Sequence, residues 1–277
     1  MSGRPFVKMN GCGNDFVVVD GLSRPFTPGQ DEVRALADRT DGEGFDQLIA
    51  IEPSVTADAF MRVWNADGGA VQTCGNALRC VGWLLMEANG TDSVRIDTLG
   101  GPTVARRAGT GQITVDMGPP RLDWRDIPLS EEMDTRGIEL QVGPIDAPLI
   151  HTPGAVSMGN PHVVFFTDRL DDGFVTGSGS LIEHHPLFPE GVNVGFAHVL
   201  ATDRIRLRVW ERGAGLTQAC GTGACAALVA TSRRGLTGRH ATVLVDGGEL
   251  GIRWDEMTGH VFLTGPVEIE RTGVLAL

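Results

Sequence analysis

The chain of 277 residues is 42% hydrophobic and 21% charged, enough to bury one large core or two of ordinary size. Lys and Arg number 23 against 35 Asp and Glu, a formal charge of −12, which argues against a general grip on nucleic acid or on an anionic membrane surface. No run approaches the roughly 20 apolar residues of a membrane span, and the opening MSGRPFVKMNGCGNDF has no apolar signal core, so a soluble cytoplasmic protein is expected. In chain order, β-type runs are predicted at residues 16–20, 48–52, 60–65, 94–98 and 113–117, and again at 162–166, 204–211, 241–245 and 261–263. An amphipathic helix at 31–39 is assigned to the surface. Two more helices, 75–88 stopped by Asn89-Gly90 and 221–231 stopped near Gly235, are apolar almost all round, and each is expected inside its own sheet.

The chain repeats itself. VWNADGGAVQTCGNALRC (63–80) lies over VWERGAGLTQACGTGACA (209–226) without a gap, at an offset of 146 residues. The same offset places Gly13-Asn14 on Gly159-Asn160, Val17-Val18 on Val163-Val164 and Gln47 on Asn193. One residue further on, Gly100-Gly101 meets Gly247-Gly248, Arg106 meets Arg253, and Gly118-Pro119 meets Gly265-Pro266. Chance likeness between two β-rich halves is the plain alternative, but a single offset explains separated segments in the right order. The expected organisation is α+β. One lobe spans 1–120, and a Pro-rich acidic connector plus a second lobe spans 121–277, with the last strand able to rejoin the first lobe. Duplicated lobes commonly pack about a pseudo-twofold axis, which would set equivalent residues facing each other.

Of the five cysteines, an odd number in a chain too long to need staples, all are expected as thiols. Cys74 and Cys220 occupy equivalent places, each just before a Gly at the start of a predicted helix. The unsatisfied N–H groups and positive dipole end there favour a thiolate, lowering its reference pKa of about 8.5. Backbone N–H groups at Gly75, Asn76, Gly221 and Thr222 would also cradle a carboxylate. Two thiols on opposite sides of an amino-acid α-carbon are the minimum apparatus for inversion without a cofactor: one removes a proton, the other delivers one to the opposite face. Cys80 and Cys225 read as core residues inside the helices, and the role of Cys12 stays open. The cysteine spacings do not fit a zinc knuckle, so no metal is expected. No complete dinucleotide or P-loop glycine motif is present. A redox dithiol is the competing reading of the pair.

CGNALRC (74–80), ERGAGLTQACGTGACA (211–226), GNDFVVVD (13–20) and MGNPHVVF (158–165) resemble the diaminopimelate epimerase family, in that family's order and over nearly the whole chain. The resemblance implies a pyridoxal-independent, metal-free epimerase. It interconverts LL- and meso-2,6-diaminopimelate on the route to lysine and peptidoglycan. It implies two lobes, each a curved mixed sheet around a central helix, with no cofactor, a small amino-acid substrate as partner, and a homodimer. Carried over by position, Cys74 and Cys220 match the acid/base thiols, with His162 and Glu211 as polar neighbours of the reacting centre. Gly75, Asn76, Gly221 and Thr222 match the carboxylate cradle. Asn14, Gln47, Asn65, Asn160, Asn193, Glu211 and Arg212 match the substrate pocket, Arg212 suiting a distal carboxylate. One departure is AVQT at 70–73, where the family more often carries an acidic residue. Proline-type racemases share the paired cysteines without needing to hold a distal zwitterion, so a racemase of a simpler amino acid is the second enzyme reading.

Overall fold

The computed structural model describes residues 3–72 and 74–275. Thr73, the last residue of the AVQT departure, lies outside them, as do residues 1, 2, 276 and 277 at the ends of the two predicted domains. The described chain divides into two compact units: residues 3–116 with 264–275, and Met117–Leu263.

The first unit runs β1 (Arg4–Gly11), β2 (Asn14–Asp20), α1 (Gln30–Ala37), β3 (Gln47–Glu52), β4 (Ala59–Asn65), β5 (Ala70–Val71), α2 (Gly75–Asn89), β6 (Ser93–Thr98), β7 (Gly101–Gly109) and β8 (Gln112–Asp116). The second runs β9 (Gln141–Val142), β10 (Ile150–His151), β11 (Gly154–Ser157), β12 (Pro161–Phe166), α3 (Asp172–Glu183), β13 (Asn193–Ala201), β14 (Arg204–Glu211), β15 (Gly215–Leu216), α4 (Gly221–Arg233), β16 (His240–Val245) and β17 (Gly248–Trp254). The chain then re-enters the first unit along β18 (Val261–Pro266), and β19 (Glu268–Leu275) pairs antiparallel with β1.

Each unit is a mixed sheet with a buried helix. In the first, β1–β2 is antiparallel, β2–β3 parallel, β3–β4 antiparallel, β4–β6 parallel and β6–β7 antiparallel. The second repeats that alternation from β11 through β12, β13, β14 and β16 to β17. The register repeats as well: Phe16 pairs with Gln47 and Leu48 with Trp64, as His162 pairs with Asn193 and Val194 with Trp210. The sequence repeat is therefore a repeat of topology.

Strands β2, β3, β12 and β13 carry near-continuous buried apolar runs because both their faces are covered, whereas β6, β8, β16 and β17 alternate. Ten residues of α2 are buried, from Gly75 to Met86, and in α4 every residue from Gly221 to Thr231. Helix α2 comes so close to β7 that a Cβ on Gly82 would stand 2.4 Å from the Ala105 Cβ. Its end is set by Gly90 in the left-handed region (φ 65°), whose N–H returns to the Met86 carbonyl. The other face of the first sheet packs Val17, Val19, Leu48 and Trp64 with Val33 and Leu36 of α1. In the second unit the corresponding cover is α3, through Phe174, Val175 and Ile182, for which the sequence offered no helical signal. The stretch between Pro120 and Pro148 is packed too, with Ile127, Leu129, Ile138 and Leu140 in the same cluster. No helix among the described residues is long and apolar enough to cross a membrane.

Candidate active site

In the first unit the candidate residues gather where α2 begins. Cys74 is half-buried and caps the helix with extended backbone (φ −140°), and its carbonyl accepts the Leu78 N–H at 2.9 Å. The N–H groups of Gly75 and Asn76 belong to the first turn and have no acceptor within the helix. Strand pairing brings Gln47 opposite Asn65, and Gln47 Nε2 donates to Asn65 Oδ1 at 2.9 Å.

Asn76 and Asn14 are joined in a chain with one possible direction. Arg79 Nη1 donates to Asn76 Oδ1 (2.8 Å), Asn76 Nδ2 to Asn14 Oδ1 (2.5 Å), and Asn14 Nδ2 to Asp46 Oδ2 (3.2 Å). A guanidinium only donates, and Asp46, which also receives Arg39 at 2.8 Å, only accepts, so neither amide can turn over. Arg79 and Asp46 carry no signal of this role in the sequence. Arg79 is fully buried, at the position equivalent to Cys225 in the other repeat. The remaining thiols of this unit, Cys12 and Cys80, are buried. Burial pushes Cys80 up to about 12 and raises Cys12, the latter opposed by the neighbouring Arg79 charge.

The second unit assembles its set around the start of α4. Asn160 Nδ2 donates to Thr222 Oγ1 at 3.3 Å, and its Oδ1 stands 3.0 Å from His162 Nε2. In the Nε2–H tautomer His162 donates to that oxygen. Asn193, buried, donates to the Pro161 carbonyl at 2.9 Å and accepts the Arg212 N–H at 3.0 Å. Arg212 itself is exposed, its Nη1 donating to the Glu190 carbonyl at 2.7 Å. Glu211 Oε1 accepts from Thr217 Oγ1 at 2.5 Å.

Cys220 corrects one electrostatic expectation. Its Sγ accepts the Gly223 N–H at 3.4 Å and contacts Thr222 Oγ1 at 3.5 Å, both of which favour a thiolate, as the helix terminus should. Yet its pKa is raised well above the ordinary thiol range, first by burial and then by the charge and hydrogen bond of Glu211. Desolvation and a facing carboxylate outweigh a helix end. In the resting unit Cys220 is a thiol.

His162 is fully enclosed, and burial, with the Arg212 charge behind it, lowers its pKa to about 3. It is neutral in the folded protein at neutral pH. Because the unfolded chain binds this proton near the ordinary histidine value of 6.5, the contribution of neutral His162 is fully present above that value. It is lost as pH falls toward about 3. Thermal unfolding followed from pH 7 to pH 4 is expected to show a falling midpoint, and His162→Asn is expected to flatten that fall. An unchanged pH slope in the variant would contradict the assignment.

Asn14 and Asn76 thus meet at the start of α2 behind the Cys74 cap, Asn160, Thr222 and Glu211 lie around Cys220 at the start of α4, and Gln47 pairs with Asn65 across β3 and β4. The family model for diaminopimelate epimerase matches the chain twice, over residues 6–122 and 154–270, one copy to each repeat. The chain is 60% identical to a diaminopimelate epimerase of Caulobacter sp. (strain K31), covering 98% of this chain and 97% of that one. It is 59% identical to one of Phenylobacterium zucineum (strain HLK1), covering 99% and 98%. Among solved structures it is similar to a hydroxyproline epimerase from Agrobacterium vitis with bound trans-4-OH-L-proline. The TM-score is 0.72 at 17% identity, over 99% of this chain and 91% of that one, a likeness of fold alone.

Proposed function

The chain belongs to the diaminopimelate epimerase family and interconverts LL- and meso-2,6-diaminopimelate, and from that premise we propose that Cys74 and Cys220 do so as a two-thiol acid/base pair. Inversion at an α-carbon needs a base for one face and an acid for the other. The observation that carries the reading is the equivalence of the two thiols, each the capping residue of the buried helix of its own repeat. Cys220 is the acid at rest, and Glu211 can take up and return its proton, so that the same group serves as base in the reverse direction. The first-turn N–H groups of Gly75, Asn76, Gly221 and Thr222 receive the reacting carboxylate and the charge that grows on it as the α-proton leaves.

The distal end of the substrate is a second amino acid. Arg212 pairs with its carboxylate through two parallel N–H donors, and the amides of Asn14, Gln47, Asn65, Asn160 and Asn193 supply the donors and acceptors a zwitterion needs. Neither step calls for pyridoxal phosphate or a metal. We place the reaction in the cytoplasm, where thiols are kept reduced.

Proton NMR of the reduced protein with LL-diaminopimelate in D2O, without added pyridoxal phosphate or metal, tests this directly. Loss of the α-proton signal together with growth of the meso isomer is the expected result. Absence of exchange would reject the mechanism and turn attention to proline-like substrates.

A further inference from the structure

The turn that carries Glu211 and Arg212 is held at both ends by the Glu183 side chain. Glu183, the last residue of α3 and 6% exposed, accepts the Trp210 indole N–H on Oε2 at 2.7 Å and the Gly213 backbone N–H on Oε1 at 2.8 Å. Those two donors flank the Glu211-Arg212 dipeptide. The loop after α3 completes the seat: the Glu190 carbonyl accepts the Arg212 guanidinium, and Gly191 (φ 72°) lies where a Cβ would stand 3.0 Å from Arg212 Cδ. Asn193, the first residue of β13, takes the Arg212 N–H.

A carboxylate is an unfavourable choice for fold stability alone. It is buried, and it sits at the C-terminal end of a helix, where the dipole repels a negative charge. It is nonetheless ionised: against the upward push of burial, the bonds from Trp210 and Gly213 and the nearby His184 and Arg212 charges hold its pKa below the usual carboxylate range. What the carboxylate offers, and an amide does not, is an acceptor oxygen for each of two converging donors.

We propose that Glu183 is a positioning residue that, by tethering both ends of the Glu211-Arg212 turn, sets where Arg212 meets the distal carboxylate of the substrate. This rests on the role given to Arg212 above. Glu211, on the same turn, keeps a separate hold through Thr217 Oγ1, so the effect falls first on substrate binding rather than on proton transfer.

In Glu183→Gln, the amide NH2 must oppose one of the two donors and the turn shifts. KM for LL-diaminopimelate is expected to rise about tenfold, with kcat within about threefold of wild type. Adding Trp210→Phe removes the opposed donor and leaves the one remaining oxygen of the new amide free to serve Gly213. The double variant is therefore expected to bind better than Glu183→Gln alone, with KM returning to within about threefold of Trp210→Phe. A residue that merely stabilised the fold would show the reverse, the double variant being worse in both constants, and that result would overturn the proposal. Should Glu183→Gln not fold, Trp210→Phe alone keeps the carboxylate and cuts one tether; it is expected to raise KM about threefold at constant kcat, and an unchanged KM would count against the tether. The 1H–15N signal of the Trp210 indole, identified by its loss in Trp210→Phe, is expected to move upfield in Glu183→Gln. That shift is read without turnover, so inactive wild-type protein would refute the proposed reaction while an unmoved indole signal would refute the tether.

Discussion

Replacing Cys74 or Cys220 by alanine is expected to reduce epimerisation of LL-diaminopimelate about ten-thousandfold, while the folded state persists. Each thiol is the only proton carrier proposed for its face of the α-carbon, and positioned acid/base groups contribute about 10² to 10⁴ in rate, so loss of either should reach the upper end of that range. Neither variant should unfold. Cys74 is half-buried, and although Cys220 is buried, the Glu211 carboxylate keeps its bond from Thr217 when the thiol is gone. Serine in either place should recover little, because a hydroxyl is a far weaker acid than a thiol and yields almost no base near neutral pH. The measurement is the rate of isomer interconversion beside circular dichroism and the thermal midpoint. Turnover near that of the wild type in either alanine variant would end the two-thiol mechanism, whereas loss of activity together with loss of the folded signal would call for the serine pair.

Arg212→Ala is expected to lower kcat/KM for LL-diaminopimelate at least about a hundredfold. Two charge-assisted hydrogen bonds to the distal carboxylate contribute about 1.5–3 kcal/mol each, and about 1.4 kcal/mol corresponds to a factor of ten. The guanidinium is exposed and reaches back to the fold through the Glu190 carbonyl, so its removal leaves no buried group uncompensated. Arg212→Lys keeps the charge but not the planar fork, and should recover part of the loss. A kcat/KM for Arg212→Ala within tenfold of wild type would show that the distal carboxylate is held elsewhere. Equality of the lysine variant with wild type would show that charge alone is recognised.

The candidate site was legible wherever its chemistry is local. Cys-Gly at a helix start, an Asn beside a glycine turn and an Arg next to Glu211 are short patterns, and the repeat doubled the first two of them. What stayed hidden was the support. Asp46 and Arg79 are ordinary charged residues in sequence, well separated along the chain, and acquire meaning only when folding inserts Asn14 and Asn76 between them. Glu183 did leave one signal, an acidic residue at the wrong end of a helix, but that signal requires the helix to be known. The helix itself, DGFVTGSGSLIE, is poor in helix formers. It exists because Asp171 caps it through the Phe174 N–H at 3.0 Å and because Gly179 lets the Trp210 ring lie against it.

By itself the sequence determined the duplication, the two buried helices, part of the strands around them and the pair of equivalent thiols, because periodicity and motif spacing act over a few residues and an offset of 146 made each half a check on the other; β1, β7, β13, β17 and β19 lie outside the predicted runs. Tertiary structure alone decided the protonation of Cys220, the direction of the Asn76–Asn14 chain and the seat of Arg212. Each of these depends on burial and on partners distant in the chain: desolvation of a thiol, the approach of a carboxylate, and the meeting of a donor-only group with an acceptor-only one are properties of packed space.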